Sequence, residues 1–136
     1  MVRLIMGEKG TGKTKKLIEI VNSEAAADSG SVVCIEAKDT MTFDVHYRAR
    51  LISAGEYQIA SYENLRGFIS GLYAGNYDTS HIFVDNLFKI VGGAPDQEAD
   101  NFFNWLDRFS AKNGVKFTVS VSGDPEMATD VMQKFL

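Results

Sequence analysis

Eight residues near the start of the chain, Gly7-Glu8-Lys9-Gly10-Thr11-Gly12-Lys13-Thr14, narrow its possible folds to a few. They match the pattern G-x-x-x-x-G-K-[ST] in full. Before them lies a short apolar run, Val2 to Met6, which predicts a first strand. After them Leu17, Ile18, Val21 and Ala25 recur at helical spacing, which predicts a helix from Thr14 to about Ala27, stopped by Gly30. In such a loop successive backbone N–H groups point inward together. Glycine permits both the turns and the close approach of phosphate oxygens. A helix that starts in the loop aims its positive dipole end at the same place. Lys13 adds a compact positive charge for the outer phosphates, and the Thr14 hydroxyl can ligate a Mg²⁺ that bridges them. Gly7, Glu8, Lys9, Gly10, Thr11, Gly12, Lys13, Thr14 and the adjoining Lys15 are therefore the candidate nucleotide-binding residues.

The rest of the chain alternates short apolar runs with longer amphipathic stretches, the pattern of an α/β domain. Val32 to Glu36 is a β-branched run and predicts a second strand. Arg50 to Ser53 and Tyr57 to Ile59 predict two further short strands. Tyr62, Leu65, Ile69 and Leu72 share one helical face after Ser61, a good N-cap. His81 to Asp85 is an apolar run that ends in a carboxylate, the mark of a buried parallel strand. Gly92-Gly93-Ala94-Pro95 breaks the chain before a helix with Phe102, Phe103, Leu106 and Phe109 on one face, ended by Gly114. Val115, Phe117, Val119 and Val121 alternate with Lys116, Thr118, Ser120 and Ser122, a strand with one apolar and one small polar face. Asp124-Pro125 predicts the cap and first turn of a last helix towards Leu136.

With 136 residues there is material for a single domain, residues 1–136, and 45% hydrophobic residues suffice for a core. Fourteen Lys and Arg against 18 Asp and Glu give a net charge of −4, which argues against a nucleic-acid coat or a polybasic membrane binder. No apolar run approaches the length of a membrane span. The one cysteine, Cys34, makes no internal disulfide and no Cys-rich zinc site, and no signal-peptide core precedes the loop. The expectation is a cytoplasmic protein.

At this point the chain resembles a P-loop nucleoside triphosphatase. Gly7 to Thr14 is similar to the Walker A motif, and Ile82-Phe83-Val84-Asp85 to the Walker B motif. The resemblance implies a three-layer α/β sandwich. Its central sheet would be mostly parallel, with the loop after the first strand and helices on both faces. It implies ATP as ligand, with Mg²⁺ held by Thr14 and Asp85. At least one strand is expected between the two motifs in sequence, and an inserted strand in the sheet would place the chain in the ATPase-like division, with RecA and the type II thymidine kinases. The order of elements looks most like the thymidine kinase core without its zinc lobe. The pattern is also similar to small bacterial proteins labelled twitching-motility ATPases. The likeness to those motors is confined to the phosphate loop, since a loop that begins at Gly7 leaves no room for their separate N-terminal domain.

The chain departs from an efficient ATPase in one position. In much of that division a Glu follows the Walker B Asp and orients the attacking water. Here Asn86 follows, a neutral amide that is no general base. Substitute carboxylates are Glu36 and Asp39 near the end of the second strand, Asp124 and Glu8. Asp124 before Pro125 reads as a cap and Glu8 as an exposed loop charge. Glu36 stays open between base and solvated carboxylate, and with Lys13 it makes the candidate catalytic pair. Ser122 at the strand end reads as a sensor-like contact to the γ-phosphate, or, with Ser120, as a small residue packed in a crowded sheet. Arg48, Arg50, Arg66 and Arg108 read as surface charges or as phosphate clamps, in cis or from a neighbouring subunit. Trp105 reads as core or subunit contact. The guanine-reading Asn-Lys-x-Asp signature is absent, which points to ATP. Three functions fit. They are a weak or partner-stimulated ATPase, a nucleoside-type kinase with its acceptor pocket in residues 37–60, and a nucleotide-controlled binding module. An unidentified protein partner or acceptor belongs to each, and assembly into an oligomer is compatible with all.

Overall fold

Five parallel strands form the sheet in the computed structural model, which describes residues 1–27, 30–37 and 44–136. They are β1 (Val2–Gly7), β2 (Ser31–Glu36), β3 (Ala49–Ser53), β4 (Thr79–Asp85) and β5 (Lys116–Ser122). The helices are α1 (Lys13–Ala26), α2 (Tyr62–Gly75), α3 (Leu87–Val91), α4 (Gln97–Asn113) and α5 (Asp130–Gln133). The order across the sheet is β1-β5-β4-β2-β3, with every neighbouring pair parallel. The last strand in sequence thus lies between the two motif-bearing strands, β1 and β4.

Residue parity divides each inner strand between two cores. Val33, Ile35, Ile82, Val84, Phe117, Val119 and Val121 face α2, α3 and α4. Val32, Cys34 and Phe83 face Leu17, Val21 and Ala25 of α1. A strand buried on both faces requires a nearly continuous apolar run, which β2 and β4 supply. Helix α4 anchors the larger core through Phe102, Phe103 and Leu106, each fully buried. Burial of each stabilises the fold by roughly 1.5–3 kcal/mol. The polar face of β5 is also covered: Thr118 and Ser120 are each 1% exposed. Their small side chains let α1 and its loop lie close to the sheet.

Several boundaries differ from the sequence reading. Helix α1 ends with Ala27 as its C-cap, short of Gly30, whose own conformation (φ 135°) answers the close approach of the Asp78 carbonyl. Tyr57 to Ile59 is no strand. Ala54–Tyr57 is a 3-10 turn and Gln58 turns left-handed at φ 58°. The short α3 went unread, and Gly92 is its C-cap, while Asp96 caps α4 by accepting from the Ala99 N–H at 3.0 Å. The last predicted helix is two pieces, a 3-10 turn at Pro125–Met127 capped by Asp124, then α5 capped by Thr129. Ser61 caps α2 and Gly114 ends α4, as expected. No helix among the described residues is long and apolar enough to cross a membrane.

Candidate functional site

The carboxyl ends of β1, β4 and β5 meet at the glycine loop. The loop folds onto the Glu8 carbonyl, which accepts from the Thr11 N–H at 3.2 Å, the Thr11 hydroxyl at 2.7 Å and the Lys13 ammonium at 3.1 Å. Gly7 allows this. A Cβ there would stand 2.7 Å from the Thr11 hydroxyl oxygen. Gly12 is the N-cap of α1 at φ 85°, and no side chain caps the helix. The first-turn N–H groups therefore face outward with the helix dipole behind them. The pocket above them has a volume of about 450 Å³. Lys9, Gly10, Gly12, Lys13, Thr14 and Lys15 line one side, and Asp85, Asn86, Ser120 and Ser122 the other. Gly7, Glu8 and Thr11 border a second hollow on the other side of the loop, closed by Ile5, Met6 and Pro125.

Asp85 is 8% exposed, and its Oδ1 accepts from the Ser120 hydroxyl at 2.8 Å and the Thr14 hydroxyl at 3.5 Å. Burial pushes its carboxyl above the usual range, partly offset by those two hydrogen bonds and by the nearby Lys13 charge. A buried carboxylate favours a cation beside it. The Thr14 hydroxyl and the Asp85 carboxylate are oxygen donors of the kind Mg²⁺ takes. Among the described residues no cluster of three or more His, Cys, Asp or Glu could hold a metal alone.

Glu36 lies one strand over from Asp85, in register with it and 1% exposed. Both belong to the α1 side of the sheet, where they push the buried Cys34 thiol upward together with burial itself, the larger cause. Glu36 is not among the residues that line the pocket above the glycine loop. Asp39 lies outside the described residues. Asp124 caps its turn by accepting from the Glu126 N–H at 2.9 Å, and Glu8 is exposed. None of Arg48, Arg50, Arg66 and Arg108 lines the pocket. Ser120, treated in the sequence only as a companion of Ser122, is the residue that touches Asp85 and also accepts from the Asn86 N–H at 2.8 Å. No sequence signal marks it, because the contact depends on β5 lying beside β4.

No protein-family model and no curated protein matches this chain. Among solved structures it is similar to the flagellar accessory protein FlaH from Methanocaldococcus jannaschii, with a TM-score of 0.65 at 14% identity. The likeness covers 98% of this chain and 65% of that one. The fold is RecA-like. A likeness at that identity speaks for the architecture: a parallel five-strand sheet between helical layers, with the glycine loop after β1.

Proposed function

We propose that the chain binds Mg²⁺·ATP at the Gly7–Thr14 loop and acts as a weak or partner-stimulated ATPase. The observation that carries this reading is the convergence of an uncapped helix N-terminus, Lys13 and the Thr14–Asp85 pair on one pocket. In it the loop amides and Lys13 hold the phosphates, while Thr14 and Asp85 hold the metal. Mg²⁺, when bound, neutralises charge on the phosphate oxygens. Ser120 orients the Asp85 carboxylate by donating to Oδ1, and Asp85 with Thr14 would hold the ion. Asn86 supplies no base for the attacking water. Glu36, in register with Asp85, is 1% exposed and does not line the pocket, which is one reason to expect slow turnover. A single buried thiol, Cys34, supports a cytoplasmic setting.

Asn86 also favours a second reading, a nucleotide-controlled binding module in which hydrolysis is negligible and ATP shifts a conformational equilibrium. Calorimetric titration with Mg²⁺·ATP and Mg²⁺·GTP tests the shared core of both. Binding is expected in the native chain, stronger for ATP, with a loss of at least about tenfold in Lys13→Ala. A chain that binds neither nucleotide ends both readings. Phosphate release at saturating ATP then separates them.

A further inference from the structure

Two arginines and the tryptophan that the phosphate site leaves unused come together on the opposite face of the sheet. Helices α2 and α4 enclose a pocket of about 330 Å³ there, lined by Tyr62, Arg66, Glu98, Asn101, Trp105 and Arg108. That volume lies at the lower end of small-molecule sites. Tyr62 is 7% exposed, and its hydroxyl is buried with no hydrogen-bond partner among the described residues. That oxygen packs against Gly93, where a Cβ would stand 2.7 Å from it, so Tyr62 offers the pocket its ring. Arg66 is half-buried and Arg108 exposed. Neither guanidinium takes part in a hydrogen bond or ion pair among the described residues. Asn101 accepts from Gln97 through its amide oxygen at 3.0 Å, which leaves its NH₂ to donate. Trp105 is held by Phe102 at a centroid distance of 6.2 Å, nearly parallel, and by Phe109 at 5.1 Å.

The pocket is thus rich in donors, with Glu98 its one carboxylate, and it carries a large ring at its wall. Guanidinium pairs suit carboxylate and phosphate, whose oxygens match their forked donors. We propose that this pocket is a second ligand site, for a small anion that carries a flat ring, of the nucleoside monophosphate or aromatic carboxylate kind. Arg66 and Arg108 take the anionic group, the ring packs against Trp105, and the Asn101 NH₂ donates to a polar atom of the ligand. Glu98 takes an amino group on the ring where there is one. The site stands independently of the phosphate-loop reading, since the two share no residue.

Trp105 is the chain's single tryptophan, so its indole N–H gives one NMR cross-peak, and that peak reports on the wall of this pocket. The ¹⁵N-labelled full chain is titrated, in EDTA, with AMP, 1-naphthoate, adenosine and inorganic phosphate. The cross-peak is expected to shift saturably with AMP or naphthoate, and at least about tenfold more weakly with adenosine or phosphate alone. The Arg66→Ala/Arg108→Ala variant weakens the ring-bearing anion by at least about tenfold, and Lys13→Ala leaves it unchanged. Both arginines reach solvent, so the double variant is expected to fold, with circular dichroism and Tm as the check. A response to AMP identifies a nucleotide ligand, and a response to naphthoate alone a carboxylate. No saturable shift with any probe up to about 10 mM overturns the proposal. So does a shift that survives in the double variant or vanishes in Lys13→Ala.

Discussion

Asn86 is the residue on which the chemistry turns. It stands at φ 59° and ψ 58°, caps α3, and has its N–H fixed on Ser120. Asparagine tolerates this left-handed region better than other residues with a Cβ, because its short polar side chain bonds locally. The sequence shows a missing carboxylate there, and the backbone shows why an amide suits the place. Asn86→Glu is expected to lower stability by about 1 kcal/mol, read by urea unfolding. If the missing carboxylate limits hydrolysis, phosphate release rises about 10- to 100-fold in the same variant. An unchanged rate locates the limit elsewhere. Ser120→Ala removes a donor from Asp85 and an acceptor from the Asn86 N–H in one step. It is expected to cost about 1–3 kcal/mol, again by urea unfolding, and to weaken Mg²⁺-dependent nucleotide binding measured by calorimetry.

At the scale of elements, legibility followed length and local chemistry. Helices α1, α2 and α4 each run 14 residues or more and show their period openly. Their caps at Ser61 and Gly114 are local events, so the sequence names them. Helix α3 has five residues, fewer than a periodic signal needs. Its boundaries are set by Asn86 and Gly92, whose left-handed conformations depend on where β4 delivers the chain. Tyr57 to Ile59 looked like strand because its residues favour extended backbone. Instead the chain turns back, with the Ile59 N–H donating to the Ala54 carbonyl at 2.9 Å. The cap of α4 is a direct test of local control. Asp96→Ala is expected to cost about 1 kcal/mol, read by thermal or urea unfolding, and to leave nucleotide affinity unchanged.

At the scale of the whole molecule, the end of the sheet opposite the glycine loop holds a buried ionisable cluster, at the start of the interior strands β4 and β5. His81, 2% exposed, faces the Thr118 hydroxyl at 2.8 Å through Nε2 and Glu24 at 3.3 Å through Nδ1, with Lys116 3.5 Å from the same carboxylate. Burial lowers its pKa to about 4. Glu24 opposes that, while Lys116 and the chain's amino terminus add to it. The unfolded chain, with an ordinary histidine near pH 6.5, therefore binds more protons between those values. The stability contributed by this group is expected to be full above about pH 6.5 and to be lost as pH drops towards 4. Urea unfolding at pH 7 and pH 4.5 measures it, and His81→Gln is expected to flatten this part of the profile.

The amino-acid sequence by itself determined the glycine loop, the strand and helix around it, the buried strand ending in Asp85 and the α/β class. Each depends on residues close in sequence, through glycine geometry, side-chain period or capping. Only the tertiary structure decided that β5 lies between β1 and β4, that Ser120 holds Asp85, and that Glu36 stands in register beside it. Only the packing of α2 against α4 decided that Arg66, Arg108 and Trp105 share a pocket with Tyr62. Strand order and register arise from burying both faces of one sheet at once. That is a property of the assembled cores, and no local stretch of residues encodes it.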